Sequence, residues 1–570
     1  MGTTASGKSR PNANPVRPFM VSTNLMEHLF FVSDGAWDQL IGEGSFDHIV
    51  IGSGFCALAF VERTLRNDPL ARVLVLERGP LLLPEHIQNL PSPFLQTLGP
   101  SSEAHPWRLS ARMDESAAIK SQRGIIPFFG GRSSVWSGWC PRPTVEELHG
   151  WPEEVISAAE RYFYTAEALL GVVPATMIGL SNAGYRRGPG AVYGVMQEAL
   201  CALVDERLGR VPSLTRAMAA PLAVASTNHD GHWFTKFATP GPWLSLQDRQ
   251  RLLHLKRQGA PLRIAARCQV TSLVWEGTRV RTLETSRGPI AVDNADLILA
   301  LGALPATELV MRSFPSLPNV GTRYTAHSVS TIIARIPRGR LEFASALAAL
   351  ELGALYVAGV DERSDGQFHL QITAIADGDP VGHASAAHRY MPDLVATASP
   401  EQLAGSCDHV VFVCAVVGEL DHRNPDSWVR MSDPDGEMQL QIVANEVDRS
   451  VWDAMESAAF ATLEQVISPA GPACVEYWHG EGASGEWRLR RPSIEETRSP
   501  AVMHDASTLW IGGDADPDAV VGLDYRLRGI ENAYITGAAL WPTAGSWNPT
   551  LTMVALAQHL ADSLAGSRTA

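Results

Sequence analysis

Nothing in this sequence approaches the run of about 18 uninterrupted apolar residues that a membrane-spanning helix needs, so no span is expected. Seven cysteines are spread over 570 residues, at positions 56, 140, 201, 268, 407, 414 and 474. They are odd in number and lack paired or metal-ligand spacing, which excludes a disulfide frame and a cysteine-bound metal. Basic charge is short as well: 46 Lys and Arg face 61 Asp and Glu, for a formal charge of −15. A phosphate backbone would find no basic face, so nucleic acid is excluded as a partner. The opening stretch MGTTASGKSRPNANPVRP lacks the apolar core of a signal peptide. Residues 1–20 are therefore expected to form a disordered tail on a cytoplasmic chain.

What is present is the composition of a globular enzyme, 45% hydrophobic and 19% charged. The length exceeds one compact core, so two domains built from interleaved segments are expected. FDHIVIGSGFCALAFVERTLRND reads as a buried strand from Phe46 to Ile51, a glycine turn and a helix. ARVLVLERG supplies a second strand that ends on Glu77. This strand–turn–helix–strand order is the context a dinucleotide fingerprint requires. Gly52 permits the tight turn, and Gly54 lets the backbone approach a pyrophosphate at the helix N-terminus. Ala57 takes the third glycine's place, and Glu77 can accept from a ribose diol. Phe55, Cys56 and Arg78 flank these positions and join them as expected cofactor contacts. The turn alone leaves FAD and NAD undecided.

Two further blocks extend that reading. GIIPFFGGRSSVWSGWCPRPT places Gly130 and Gly131 before Arg132, Ser133, Ser134, Trp136 and Ser137. The glycines allow backbone to approach a flat ring, and the hydroxyls can bond a phosphate or ring edge; an ordinary loop explains the spacing equally well. ADLILALGALPATELVMRS is a strand, a turn at Gly302 and a helix. The meander before it begins near Val270 and is expected to pass beneath an adenine.

The last 70 residues carry the chemistry. A strand from Ala533 to Thr536 leads through Gly537 and Ala538 to WNPTLTMVALAQHLADSL. Asn548 is placed as N-cap, Pro549 and Thr550 begin the helix, and Leu551, Val554, Ala555 and Leu560 share a face. A helix start is a positive end that stabilises negative charge nearby. Upstream by 44 residues, His504 begins an H-D-A-S-T segment.

These blocks together resemble the glucose–methanol–choline (GMC) family of flavin oxidoreductases, and within it most closely the pyranose oxidase branch. The resemblance rests on GSGFCA with Glu77, GGRSSVWSGW, ADLILALGALPATELV, and the HDAST and WNPTLT pair, in that order. It implies FAD, with His504 and Asn548 as the catalytic pair of an alcohol oxidation. His504 would take the hydroxyl proton, Asn548 would hold the substrate oxygen, and hydride would pass to flavin N5. Pyranose oxidases attach FAD through a histidine of a G-G-x-S-T-H-W loop. Val135 stands at that histidine's place, so the resemblance here implies non-covalent FAD. Ser507 replaces the glycine of the histidine motif, which puts the local backbone in question.

The implied substrate is a secondary alcohol, a sugar or glycoside hydroxyl at C2 or C3, with O2 or a quinone-type acceptor reoxidising the flavin. A glycosylated natural product and a lyase that keeps FAD structurally are the alternatives; an oligomer is left open and no metal is expected. Trp139 and Trp547 are expected to wall the substrate pocket. The fold expected is α/β, a Rossmann-like FAD-binding domain interleaved with an α+β substrate domain on a large, mostly antiparallel sheet. The first domain takes residues 46–175, 260–313 and 500–570, and the second takes 176–259 and 314–499.

Overall fold

A computed structural model of the chain describes residues 23–42, 44–91, 102–115, 118–180, 192–225, 234–392, 398–433, 436–480 and 484–569. The tail expected over residues 1–20 lies outside them. Among the described residues no helix is long and apolar enough to cross a membrane. All seven cysteines are free.

Short apolar runs bounded by glycine form a five-stranded parallel sheet. Its order is Ala533–Ile535, Asp296–Leu299, His48–Ile51, Val73–Leu76 and Arg263–Ala265. Every residue of His48–Ile51 and Val73–Leu76 is buried, as continuous apolar strands covered on both faces must be. The covering helices are Phe55–Asn67 and Thr550–Thr569, which pack together, with Glu153–Leu170 against the latter. Leu551, Val554, Ala555 and Leu560 are fully buried, and so are Ala557 and Ala561 on other faces. The C-terminal helix is thus enclosed between two helices, and each buried Leu or Val contributes roughly 1.5–3 kcal/mol. Arg63 locks the arrangement by donating twice to Asp562 at 2.7 Å.

The second sheet is mixed and mostly antiparallel. Its main order is Glu486–Arg488, Glu476–His479, Thr325–Pro337, His409–Glu419, Gln367–Asp377, Leu350–Val360 and Leu214–Ala219. One face carries Ile332, Leu355, Phe368, Leu370, Phe412 and Val416, packed under helices Val195–Arg207 and Glu446–Ala461. The opposite face carries Tyr356 and, at alternate positions of the neighbouring strand, His369 and Gln371. All eleven residues of Gln367–Asp377 are buried, so the polar residues there lie inside the molecule. This is the α/β architecture anticipated from the sequence.

Two segments cross the anticipated boundaries. Strand Ala501–Ala506, which holds His504, pairs with Thr325–Pro337 of the large sheet and not with the parallel sheet. Helix Pro240–Leu255 packs with the parallel-sheet core through Trp243 and Leu246, and the Trp243 indole N–H donates to the Ser53 carbonyl at 2.8 Å. In both cases chain proximity misleads because long-range packing decides which sheet a segment joins.

Candidate active site

The dinucleotide turn is built as its sequence requires. Gly52 adopts φ +107°, and a Cβ there would lie 2.4 Å from the Ala300 carbonyl oxygen, so only glycine fits. Gly54 precedes helix Phe55–Asn67, and a Cβ on it would meet nothing within 4 Å. The space over the helix start is therefore open, as a pyrophosphate cradle must be. Gly302 opens onto similar space before helix Ala303–Ser313. Glu77 is buried; it accepts from the Ser53 hydroxyl at 2.6 Å and from the Gly79 N–H at 2.8 Å. Burial pushes its carboxyl above the usual range, against those two bonds. Arg78 is half-buried beside it, and its charge opposes that rise. The Gly79 carbonyl accepts from the Arg267 N–H, three residues before Val270, so the meander starts against the Glu77 turn.

The second glycine block meets the first. Gly130 N–H donates to the Ser53 hydroxyl at 2.8 Å. Ser133 bonds the Gly130 carbonyl and the Thr239 hydroxyl, so its hydroxyl serves the loop's own fold. Ser134 is buried, while Ser137 and Val135 are partly exposed. Trp136 donates to the Phe237 carbonyl and meets Phe55 edge-on at 4.7 Å. Arg132 pairs with Glu103 and also bonds the Gly124 carbonyl. Cys56 is buried at the helix start, where burial raises its thiol to about 12, so it stays protonated. A Cβ on Gly537 would stand 3.9 Å from the Cys56 sulfur, and Ala538 follows, buried, on the short helical turn Ala538–Leu540.

His504 is aimed by a β-bulge. Thr325 pairs with Ala506 and His327 with Met503, so three steps along one strand oppose two along the other. The extra residue is absorbed by His504 itself, at φ +64°. Such left-handed backbone in a non-glycine residue is costly and concentrates at functional sites. Ser507 also sits left-handed, at φ +68°. The serine thus keeps the conformation that a glycine there would adopt freely, and the backbone in question is preserved at the cost of strain. Among the described residues its buried hydroxyl has no partner. Ser507→Gly is expected to raise unfolding stability by about 0.5–1 kcal/mol, the left-handed penalty less glycine's entropy, measured by denaturant unfolding.

The structure brings His504 into a cluster of histidines that the sequence did not single out. His327 Nδ1 and His504 Nδ1 lie 2.9 Å apart, and His327 Nε2 lies 2.9 Å from the Gly545 carbonyl oxygen. His369 Nε2 receives the Gln371 amide at 3.0 Å, and the same amide donates to Asn548 Oδ1 at 2.8 Å. His369 also stacks on Tyr356 at 4.8 Å. Burial holds all three histidines below their ordinary value, His327 down at about 4. Mutual repulsion deepens the shift for His504 and His369. All three are neutral at pH 7, as an acceptor of protons must be. Next to His504, Asp505 is held by Tyr324 and Gln122 and is raised to about 6 by burial. The missed residues left one signal, His369 and Gln371 two apart on a strand whose alternate positions are Phe368, Leu370 and Ile372.

Three expectations change here. Helix Thr550–Thr569 begins two residues after Asn548, with Met553 N–H bonding the Pro549 carbonyl. The Asn548 oxygen is engaged by Gln371, so this side chain is placed by the sheet and not by capping. Trp547 is fully buried in a cluster with Trp151 and Trp541 at 6.1 and 5.8 Å. Trp139 is likewise enclosed, among Leu222, Tyr193 and Ala175. Both tryptophans are packed interior, and neither presents an open wall to a substrate. A cavity of about 1220 Å³ lies nearby, lined by Trp151, Glu419, His422 and Thr543 but by neither His504 nor Asn548. Among the described residues no group of His, Cys, Asp or Glu could hold a metal ion.

Residues 425–557, which contain both His504 and Asn548, match the family model described as GMC oxidoreductase. The match lies in the C-terminal part of the chain. The whole fold is similar to the crystal structure of pyridoxine 4-oxidase from Mesorbium loti, at 16% identity and a TM-score of 0.55. That similarity covers 91% of this chain and 99% of the other. No curated protein matches the chain by sequence.

Proposed function

We propose that this GMC-type chain is an FAD-dependent oxidoreductase that converts a secondary alcohol to a ketone. The observation that carries the reading is a pair of neutral side chains: His504, bonded among the described residues through Nδ1, and Asn548, its oxygen engaged so that its amide N–H groups remain to donate. FAD fits the surrounding residues. Gly54 and Gly302 open onto free space, and buried Glu77 lies where a ribose can bond it. The turn at Gly52 to Cys56, the loop Gly130 to Ser137, Val270 and the segment from Gly537 to Thr550 would hold it. Bound there, FAD would supply the hydride acceptor, with O2 or a quinone-type oxidant downstream.

The protein's part is proton and charge management. Among the described residues no group bonds His504 Nε2, so this nitrogen is the base for the substrate hydroxyl. Asn548 donates to the substrate oxygen and stabilises the alkoxide charge that grows there. Because both side chains are neutral, they enter the dry site without an unpaired charge. The substrate class is a sugar or glycoside, oxidised at C2 or C3.

Anaerobic screening of the purified yellow protein tests this reading, with sugars, glycosides and pyridoxine as probes. Loss of flavin absorbance with a sugar or glycoside supports it; bleaching by pyridoxine alone moves the substrate class. No bleaching by any alcohol overturns the oxidoreductase reading. Val135, at the place of the linking histidine, cannot form a bond to the flavin. Acid precipitation is therefore expected to release all flavin into the supernatant, and yellow precipitate would refute non-covalent binding.

A further inference from the structure

We infer that His327 is a positioning residue that fixes the tautomer of His504 and thereby keeps its Nε2 lone pair on the substrate side. The inference rests on the reading of His504 as base, but its geometry stands alone. The starting point is a group that can neither titrate nor rotate, the Gly545 carbonyl, which can only accept a hydrogen bond. His327 Nε2 stands 2.9 Å from that oxygen, so Nε2 carries the His327 proton. A neutral imidazole has one proton, hence His327 Nδ1 is an acceptor. The His504 Nδ1 facing it at 2.9 Å must then be the donor. His504 is left with its proton on Nδ1 and a bare Nε2.

That arrangement is not the one an isolated ring prefers. A free neutral histidine side chain carries its proton mostly on Nε2, and a His504 of that form would present an N–H to the substrate hydroxyl and could not accept its proton. The hydrogen bond made by one ring nitrogen decides the state of the other. His327 also serves the charged form: after His504 gains a proton at Nε2, its Nδ1–H still finds the same acceptor. The other groups that bear on His504 are His369 and Arg132, and neither bonds its Nδ1. Strand register supports the assignment. His327 faces Met503 across the bulge and Glu419 on its other side, so its ring is held by the sheet and not by a mobile loop.

Two substitutions separate positioning from scaffolding. An asparagine oxygen occupies the place of histidine Nδ1, whereas a glutamine amide occupies the place of Nε2. His327→Asn therefore keeps an acceptor for His504, and His327→Gln keeps only the link to Gly545. The test is the ring-nitrogen NMR spectrum of the 15N-histidine holoenzyme at neutral pH, with His504 assigned by its loss in His504→Ala. His504 is expected to be Nδ1–H in the natural protein and in His327→Asn. In His327→Gln and His327→Leu the Nε2–H form is expected to become the majority. An Nε2–H His504 in the natural protein overturns the proposal outright, even where a variant fails to fold. So does an unchanged His504 in folded His327→Leu, or better protection by Gln than by Asn. None of these spectra needs a substrate. An Nδ1–H His504 in a protein that no alcohol reduces would sink the proposed function and leave the positioning role standing.

Discussion

His504→Ala is expected to slow flavin reduction by the alcohol by about 10²–10⁴-fold, the range a positioned base supplies. FAD content and unfolding midpoint should barely move. The reason lies in where the side chain points. His504 sits on a bulged strand of the large sheet, Ala501–Ala506, and its bonds run to His327 and not to the nucleotide turn. Truncation removes the base, and it relieves a left-handed β-carbon conformation only slightly, since alanine keeps its Cβ. Anaerobic stopped-flow reduction, with FAD-to-protein ratio measured from absorbance, separates the two effects. Equal loss of FAD and of rate would make His504 a structural residue.

Asn548→Leu is expected to cost about 10²–10³-fold in the same rate, the value of one donor to a developing oxyanion. A second variant probes how that donor is aimed. Asn548 Oδ1 accepts from Gln371, so the amide nitrogen is the group turned to the substrate. Gln371 is in turn oriented by His369 Nε2, while His369 Nδ1 faces the Ser546 backbone without a full hydrogen bond. In Gln371→Glu the carboxylate can only accept, which draws the Asn548 amide toward it and turns Oδ1 on the substrate oxygen. The rate should fall by about the same 10²–10³-fold as for loss of the donor, although Asn548 is intact. A Gln371→Glu protein that is folded, holds FAD and reacts at the natural rate would show that Gln371 does not set the amide.

Much of the fold was legible because its signals are local. Gly52, Gly54 and Glu77 lie within one strand–turn–helix–strand unit, and the structure gives that unit the anticipated parallel pairing, Ile49 beside Leu74. The apolar face of Leu551, Val554 and Leu560 was readable from helical spacing, and all three are buried. Trp139 and Trp547 were misplaced because a large aromatic beside a site reads the same whether it walls a pocket or fills a core. Only burial distinguishes them, and burial depends on residues distant in sequence, Trp151 against Trp547 and Tyr193 with Leu222 around Trp139. The N-cap assigned to Asn548 failed for a related reason, since Gln371, 177 residues away in sequence, takes the oxygen that capping would use.

The sequence by itself determined the glycine turn, the two sheets' strand periodicities and the closing helix, and it offered His504 and Asn548, 44 residues apart, as a candidate pair. Periodicity, glycine and capping act over a turn or a strand, so they survive without the fold. Tertiary structure alone decided the protons. Which nitrogen of His504 is bare follows from His327, 177 residues away, and from the Gly545 carbonyl beyond it at a separation of 218. A tautomer is set by the partner in contact, and no spacing along a chain encodes which partner the folded sheet will deliver.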